Sequence, residues 1–68
     1  MYPFKYERIF NPEDSMHSEF IEKWKKEYSM LYLEYQHKYG DIINMLEIFY
    51  SQNPRAFDRI YRLIGRGL

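Results

Sequence analysis

The chain has 68 residues and no cysteine, so it is expected to be one small domain without disulfides or thiolate metal sites. Ten basic side chains balance ten acidic ones, and this net charge of zero excludes a strong overall bias towards nucleic acid or membranes. Aromatic residues make up 21% of the chain and neither valine nor threonine occurs, which disfavours a β-sheet.

The first ten residues form the first predicted element. Tyr2, Phe4 and Tyr6 alternate with other side chains. This period of two predicts an extended arm over residues 1–10 that lies on the helices or on a partner. Neither the apolar stretch of a signal peptide nor the roughly 20 apolar residues of a membrane span is present. The sequence therefore predicts no membrane span and a cytoplasmic location, in its own cell or in a host.

Capping residues divide the rest of the chain into three predicted helices. An Asn-Pro pair opens the first and the third helix, Asp41 caps the second, and glycine follows the first and the third. Short connections favour folding the two shorter helices back along the long one. The sequence thus predicts an all-α, three-helix protein that forms a single domain over residues 1–68. The predicted helices run from about 12 to 39, 42 to 51 and 54 to 64.

The long predicted helix carries two unusual apolar surfaces. Four tyrosines follow one another along its apolar face at spacings of four, three and four residues. An ordinary core also has such a face, but each buried phenol needs a hydrogen-bond partner, and tyrosine is enriched at interfaces. Two further apolar side chains project onto the otherwise polar side of the helix. We therefore predict a partner-binding surface of six residues. They are Tyr28, Met30, Tyr32, Leu33, Tyr35 and Tyr39.

The second predicted helix is apolar nearly all round, and only Asn44, Glu47, Ser51 and Gln52 interrupt its apolar surface. A helix of this kind is covered on most sides, and three helices provide little protein to cover it. A domain of this size buries only about 60% of the surface of its unfolded chain. A dimer or a bound partner is therefore expected to supply further contacts.

The third predicted helix has a row of arginines opposite a compact apolar face. Residues 11–52 carry four lysines against eight acids, whereas residues 53–68 carry four arginines against Asp58 alone. Like charges at helical spacing repel each other, while the planar guanidinium suits carboxylates and phosphates. We predict an anion-binding or acidic-partner-binding row here, with a solvated polar face as the alternative. The row consists of Arg55, Arg59, Arg62 and Arg66.

No constellation for catalysis or for a cofactor is recognisable. His17 and His37 lie about 30 Å apart along a straight helix, so they cannot share one metal ion. Glu34 and His37 have the spacing of a di-iron ligand pair, but the further carboxylates such a site needs are missing. The three glycines form no phosphate-binding loop, and the serines have no base and orienting group. We predict neither an enzyme nor a cofactor or metal site.

These patterns favour a small protein-interaction module, an inhibitor or adaptor that binds and regulates a larger protein. This interpretation rests on an analogy with the small, aromatic-rich regulators that phages encode. The alternative is a nucleic-acid-binding accessory protein that uses the arginine row. It would contact the backbone, because few side chains in the row are suited to reading bases. A structural homodimer is the second alternative.

Overall fold

The computed structural model describes the backbone of residues 6–67 and the side chains of residues 6–64, and every regular element in this part is helical. The predicted all-α class is therefore confirmed. Five helices occur in this part, where the sequence predicted three. They are α1 (Glu7–Phe10), α2 (Ser15–Glu27), α3 (Ser29–Tyr39), α4 (Ile42–Gln52) and α5 (Pro54–Gly67).

Helix α1 replaces part of the predicted extended arm. The amides of Ile9 and Phe10 donate to the carbonyl oxygen of Tyr6, at 3.0 and 3.3 Å, and close a helical turn. Tyr6 and Ile9 are both buried. Their spacing of three residues is helical, and it decides the local structure in place of the alternating pattern that predicted an extended chain. The predicted arm is thus wrong for residues 7–10, and residues 1–5 lie outside the described residues.

Helix α2 begins three residues later than the long helix was predicted to begin. The side chain of Asn11 accepts the amide of Glu13 at 3.1 Å, which forms a turn rather than a helix start. The actual N-cap is Asp14, whose backbone is extended and whose carboxylate accepts the amide of Met16 at 2.9 Å.

The predicted long helix is divided in two at Tyr28. The backbone of this residue (φ −134, ψ 58) is not helical, so it ends α2 and precedes α3. No glycine or proline marks the position. After the break, the rings of Tyr32 and Tyr35 pack nearly at right angles to Trp24, with centroids 5.1 and 5.8 Å away. Packing therefore overrides a continuous helix that the local sequence permits.

The remaining helix boundaries follow the capping signals closely. Gly40 ends α3 with a φ of +77, a conformation that favours a residue without Cβ. The carboxylate of Asp41 accepts an amide of the first turn of α4 at 3.4 Å, and Pro54 begins α5. The end of α5 departs from the prediction, because the helix continues past Ile64 to Gly67.

Helices α2 to α5 form a ring in which each contacts the next and α5 returns to α2, while α1 lies against α2 and α4. The helices α3 and α5 occupy opposite corners of this ring. Their backbones do not approach each other within the described part of the chain. Their outer faces are therefore separate surfaces.

Aromatic rings fill the centre of the ring of helices. Trp24 of α2 stacks on Phe49 of α4 with centroids 4.3 Å apart and an angle of 7° between the planes. The ring centroid of Phe57 in α5 lies 4.6 Å from that of Phe20 and 4.8 Å from that of Tyr6. Each pair of this kind stabilises the fold by roughly 0.5–1.5 kcal/mol beyond the area it buries. Much of the aromatic content therefore serves the core.

Helix α4 is covered by the chain itself. Met45, Leu46 and Phe49 are completely buried, and its other apolar side chains are half-buried. Helix α1 and the separate helix α3 pack against it and supply the cover that three helices were expected to lack. The apolar surface of α4 therefore gives no argument for an outside partner.

Candidate interaction surfaces

The four tyrosines of the predicted partner-binding surface lie in or against the core. Tyr32 and Tyr35 are buried, with exposed fractions of 7% and 5%. Tyr28 and Tyr39 are half-buried beside them. Both buried tyrosines help to hold α3 in place, and of the two only Tyr32 reaches a surface groove, with a small part of its ring.

The hydroxyl of Tyr35 finds its hydrogen bonds within the chain. It donates to Oε1 of Gln52 at 3.0 Å and accepts from Nδ2 of Asn53 at 3.1 Å. Burial raises the pKa of this phenol, and the Asn53 donor acts in the opposite direction. Because these partners stand 17 and 18 positions along the chain, no local sequence signal identifies them.

Met30 and Leu33 form an exposed apolar surface on α3, which we call the α3 patch. Their exposed fractions are 80% and 53%, and no other large hydrophobic side chain among residues 6–64 is as exposed. Their spacing of three places both on one face of the helix. This is the part of the predicted partner-binding surface that the fold leaves accessible.

A groove of about 330 Å³ runs beside the α3 patch, between the end of α2 and α3. Leu33 and Tyr32 form its apolar part, and Ser29 and Gln36 add neutral polar groups. The charged group in its lining is Lys25, whose ammonium lies 5.4 Å from the ring centroid of Tyr32. No described carboxylate lies within 4 Å of this ammonium. The charged group of this groove therefore forms no ion pair with a described residue.

The edge of the α3 patch away from this groove is electrically balanced. Glu34 and Lys38 form an ion pair at 3.9 Å, one helical turn apart. Both side chains are largely exposed, so the pair contributes little to stability. It nevertheless leaves this edge without net charge.

The arginine row lies on the outer face of α5. Arg55, Arg59 and Arg62 are exposed. Arg62 donates through Nε to Oδ2 of Asp58 at 2.8 Å, whereas Arg55 and Arg59 form no ion pair with a described residue. The side chain of Arg66 lies outside the described residues. The described part of the row thus offers two uncompensated guanidinium groups one turn apart.

Asp58 connects the arginine row to the start of the described chain. Its Oδ1 accepts from the hydroxyl of Tyr6 at 2.8 Å, while its Oδ2 accepts from Arg62. Sequence reasoning identified Asp58 only as the single acid near the arginines. It is also a structural link between residues 52 positions apart.

A larger groove of about 700 Å³ lies between α2 and the end of α5. Its lining combines the apolar Leu63 and Ile64 with side chains of both charges from α2, among them Glu19, Glu22 and Lys23. Small-molecule sites are lined mainly by apolar side chains with few polar groups. Five of the eight described residues that line this groove are charged, and Lys25 is one of them.

His17 is a buried polar residue that sequence reasoning considered only as a metal ligand. Its exposed fraction is 9%, and its Nε2 has no hydrogen-bond partner among the described residues. Burial lowers the pKa of the imidazole. Phe20 and Trp24 follow it at spacings of three and seven, and this pattern could have placed His17 on the buried face.

No group of three or more potential metal ligands occurs among the described residues. Within the same part of the chain, every helix is too short or too polar to cross a membrane. No protein-family model, curated protein or solved structure matches the chain. A functional proposal therefore depends on the geometry of the surfaces.

Proposed function

We propose that the protein is a small interaction module that binds and regulates a larger protein, as an inhibitor or adaptor, through the α3 patch. One observation carries the proposal: Met30 and Leu33 project from a helix whose other face is anchored in the core. Covering such a side chain is worth about 1.5–3 kcal/mol. Helices pack against one another through apolar side chains spaced three or four residues apart.

The size of the α3 patch favours a larger partner over a second copy of the chain. Stable specific interfaces bury about 800 Å² on each partner. The 11 residues of α3 extend over about 16 Å, and two exposed apolar side chains supply only part of that area. A larger partner can contact the flanks of α3 as well as the α3 patch and so gains area. The homodimer is the weaker alternative, and light scattering that shows a monomer at high micromolar concentration would remove it.

Affinity capture from a lysate, followed by mass spectrometry, tests the proposal. We expect the Met30→Ser/Leu33→Ser variant to lose the captured protein, because its apolar anchors are gone. Its circular dichroism should stay helical, because both side chains are exposed in the free protein. Asn44→Ser/Glu47→Ser is a matched control, since these exposed polar residues of α4 have the same spacing. Capture that survives the α3 changes, or that the control also loses, contradicts the proposal.

The arginine row supports a second candidate function, that of a nucleic-acid-binding accessory protein. Arg55 and Arg59 are exposed, have no ion-pair partner among the described residues and lie at the corner opposite α3. Each phosphate neutralised on duplex DNA makes log affinity fall by about 0.9 for each unit rise in log salt concentration. Binding through two or three arginines is therefore expected to be weak and strongly salt-dependent.

Retention on immobilised DNA or RNA at low salt tests this second candidate. The Arg55→Gln/Arg59→Gln variant is expected to lose retention, because it removes both uncompensated charges. Lys23→Gln/Lys26→Gln removes the same charge from α2 and is expected to be retained. Equal retention of the arginine variant and the unmodified protein would exclude this function.

A further inference from the structure

Lys25 gives the α3 patch an asymmetric charge. Its ammonium lies over the Tyr32 ring, without a described carboxylate within 4 Å. On the opposite edge of the patch, Glu34 and Lys38 neutralise each other. The patch therefore has a cationic edge beside the groove and a neutral edge away from it.

The groove follows the direction of α3. Ser29, Leu33 and Gln36 line it at spacings of four and three, so they lie along one flank of the helix. Lys25 of α2 forms the facing wall. Met30 and Leu33 make a ridge next to this groove. A ridge beside a groove is the surface on which the side-chain rows of another helix interdigitate.

We propose that the segment bound by the α3 patch is an amphipathic helix of another protein with an acidic edge. Its apolar stripe covers Met30 and Leu33, and an aspartate or glutamate at its groove-side edge pairs with Lys25. The inference rests on the proposed function and adds the chemistry of the partner to it. The carboxylate supplies the counter-ion that Lys25 lacks, and covering the groove excludes water and strengthens the pair.

A second copy of α3 does not offer this chemistry. A two-fold antiparallel pairing of α3 with itself brings the two Lys25 edges together, and like charges repel. A parallel pairing sets Lys25 against a glutamate that already pairs with Lys38. The charge pattern therefore favours a different chain with an unpaired carboxylate.

Three synthetic helical peptides test the proposal. They share one leucine stripe and differ at the edge of that stripe, which carries glutamate, glutamine or lysine. Each peptide is titrated into isotope-labelled protein, and the amide chemical shifts give both the dissociation constant and the site. We expect the glutamate peptide to shift α3 amides and to bind about three- to tenfold more tightly than the glutamine peptide. The lysine peptide is expected to bind most weakly.

Two variants assign this preference to one side chain. Lys25→Gln is expected to abolish the difference between the glutamate and glutamine peptides, whereas Lys26→Gln, at the neighbouring exposed lysine, preserves it. Both positions are exposed, and circular dichroism verifies that the variants remain helical.

Several outcomes would overturn the inference. Equal binding of all three peptides at α3 contradicts the acidic edge but leaves the proposed function standing, since lysate capture tests that function separately. Shifts on α5 would assign the acidic peptide to the arginine row instead. Shifts of α3 amides that depend on protein concentration without peptide would identify a second copy as the occupant. An absence of shifts also contradicts the inference.

Discussion

At the scale of residues, α3 buries the hydroxyl of Tyr35 and exposes the thioether of Met30. Burying the hydroxyl is tolerated because Gln52 and Asn53 supply its hydrogen bonds. Helical periodicity predicted on which side of the helix each residue lies. It could not predict which phenol hydroxyls find hydrogen-bond partners, because those of Tyr35 come from the last residue of α4 and from the residue that follows it. This is why the sequence assigned too many tyrosines to a partner.

The buried imidazole of His17 predicts a loss of stability in mild acid. Its pKa is lowered in the folded state by burial, below the ordinary value of 6.5, so the unfolded chain binds its proton more readily. The free energy of unfolding is therefore expected to fall as the pH drops below about 6.5 towards the folded-state pKa. Urea unfolding at a series of pH values measures this.

One variant separates His17 from other titrating groups. His17→Leu is expected to flatten the pH dependence in that range. The pKa of Asp14 is lowered by the Met16 amide and by Arg8, so its contribution is lost only at more acidic pH, below its ordinary value of 3.8. A His17→Leu variant with an unchanged pH profile contradicts this assignment.

At the scale of elements, the capping signals predicted the boundaries between α3, α4 and α5, but they failed at the start of α2 and at the end of α5. Gly40 and Asp41 separate α3 from α4 as expected, and Pro54 begins α5. The break at Tyr28 has no such signal, and it accompanies the packing of Tyr32 and Tyr35 against Trp24. Helix α1 was missed because an alternating pattern preceded a single helical turn. Capping chemistry is local, whereas helix direction is decided by tertiary contacts.

The left-handed conformation of Gly40 predicts the cost of one substitution. Gly40→Ala is expected to lower the free energy of unfolding by about 1–2 kcal/mol, because a Cβ is strained at this φ. No atom lies within 4 Å of the added Cβ, so backbone strain is the expected cause. Urea midpoints with unchanged m-values measure this effect, and an alanine variant as stable as the unmodified protein contradicts the prediction.

At the scale of the whole molecule, the sequence predicted the helical class and the exposed pair Met30 and Leu33, but not the ring of helices. The ring depends on the break that creates α3 and on the contacts of α1 with α2 and α4. It places the α3 patch and the arginine row at opposite corners. This placement was not predictable, because the predicted three-helix arrangement has no separate α3 and therefore no ring of four helices.

The separation of the two surfaces predicts independent effects. Changes at Met30 and Leu33 should not alter the salt dependence of anion binding, and changes at Arg55 and Arg59 should not alter peptide binding at α3. Combining both double variants is expected to change the free energy of unfolding additively, within about 0.5 kcal/mol. Urea unfolding of the two double variants and of their combination tests this. A larger deviation from additivity would indicate that the two surfaces are energetically coupled.

The stacking of Trp24 on Phe49 also has a spectroscopic consequence. Trp24 is the single tryptophan of the chain, it is completely buried, and the rings of Tyr32 and Tyr35 lie within energy-transfer range. Its emission is therefore expected to be blue-shifted in the folded protein and to move to the red when α2, α3 and α4 separate. Excitation of the tyrosines should sensitise it more strongly while the fold is intact, because the fold holds Tyr32 and Tyr35 against Trp24. The chain thus contains an intrinsic optical probe that distinguishes a variant that has lost its fold from one that has lost only a surface.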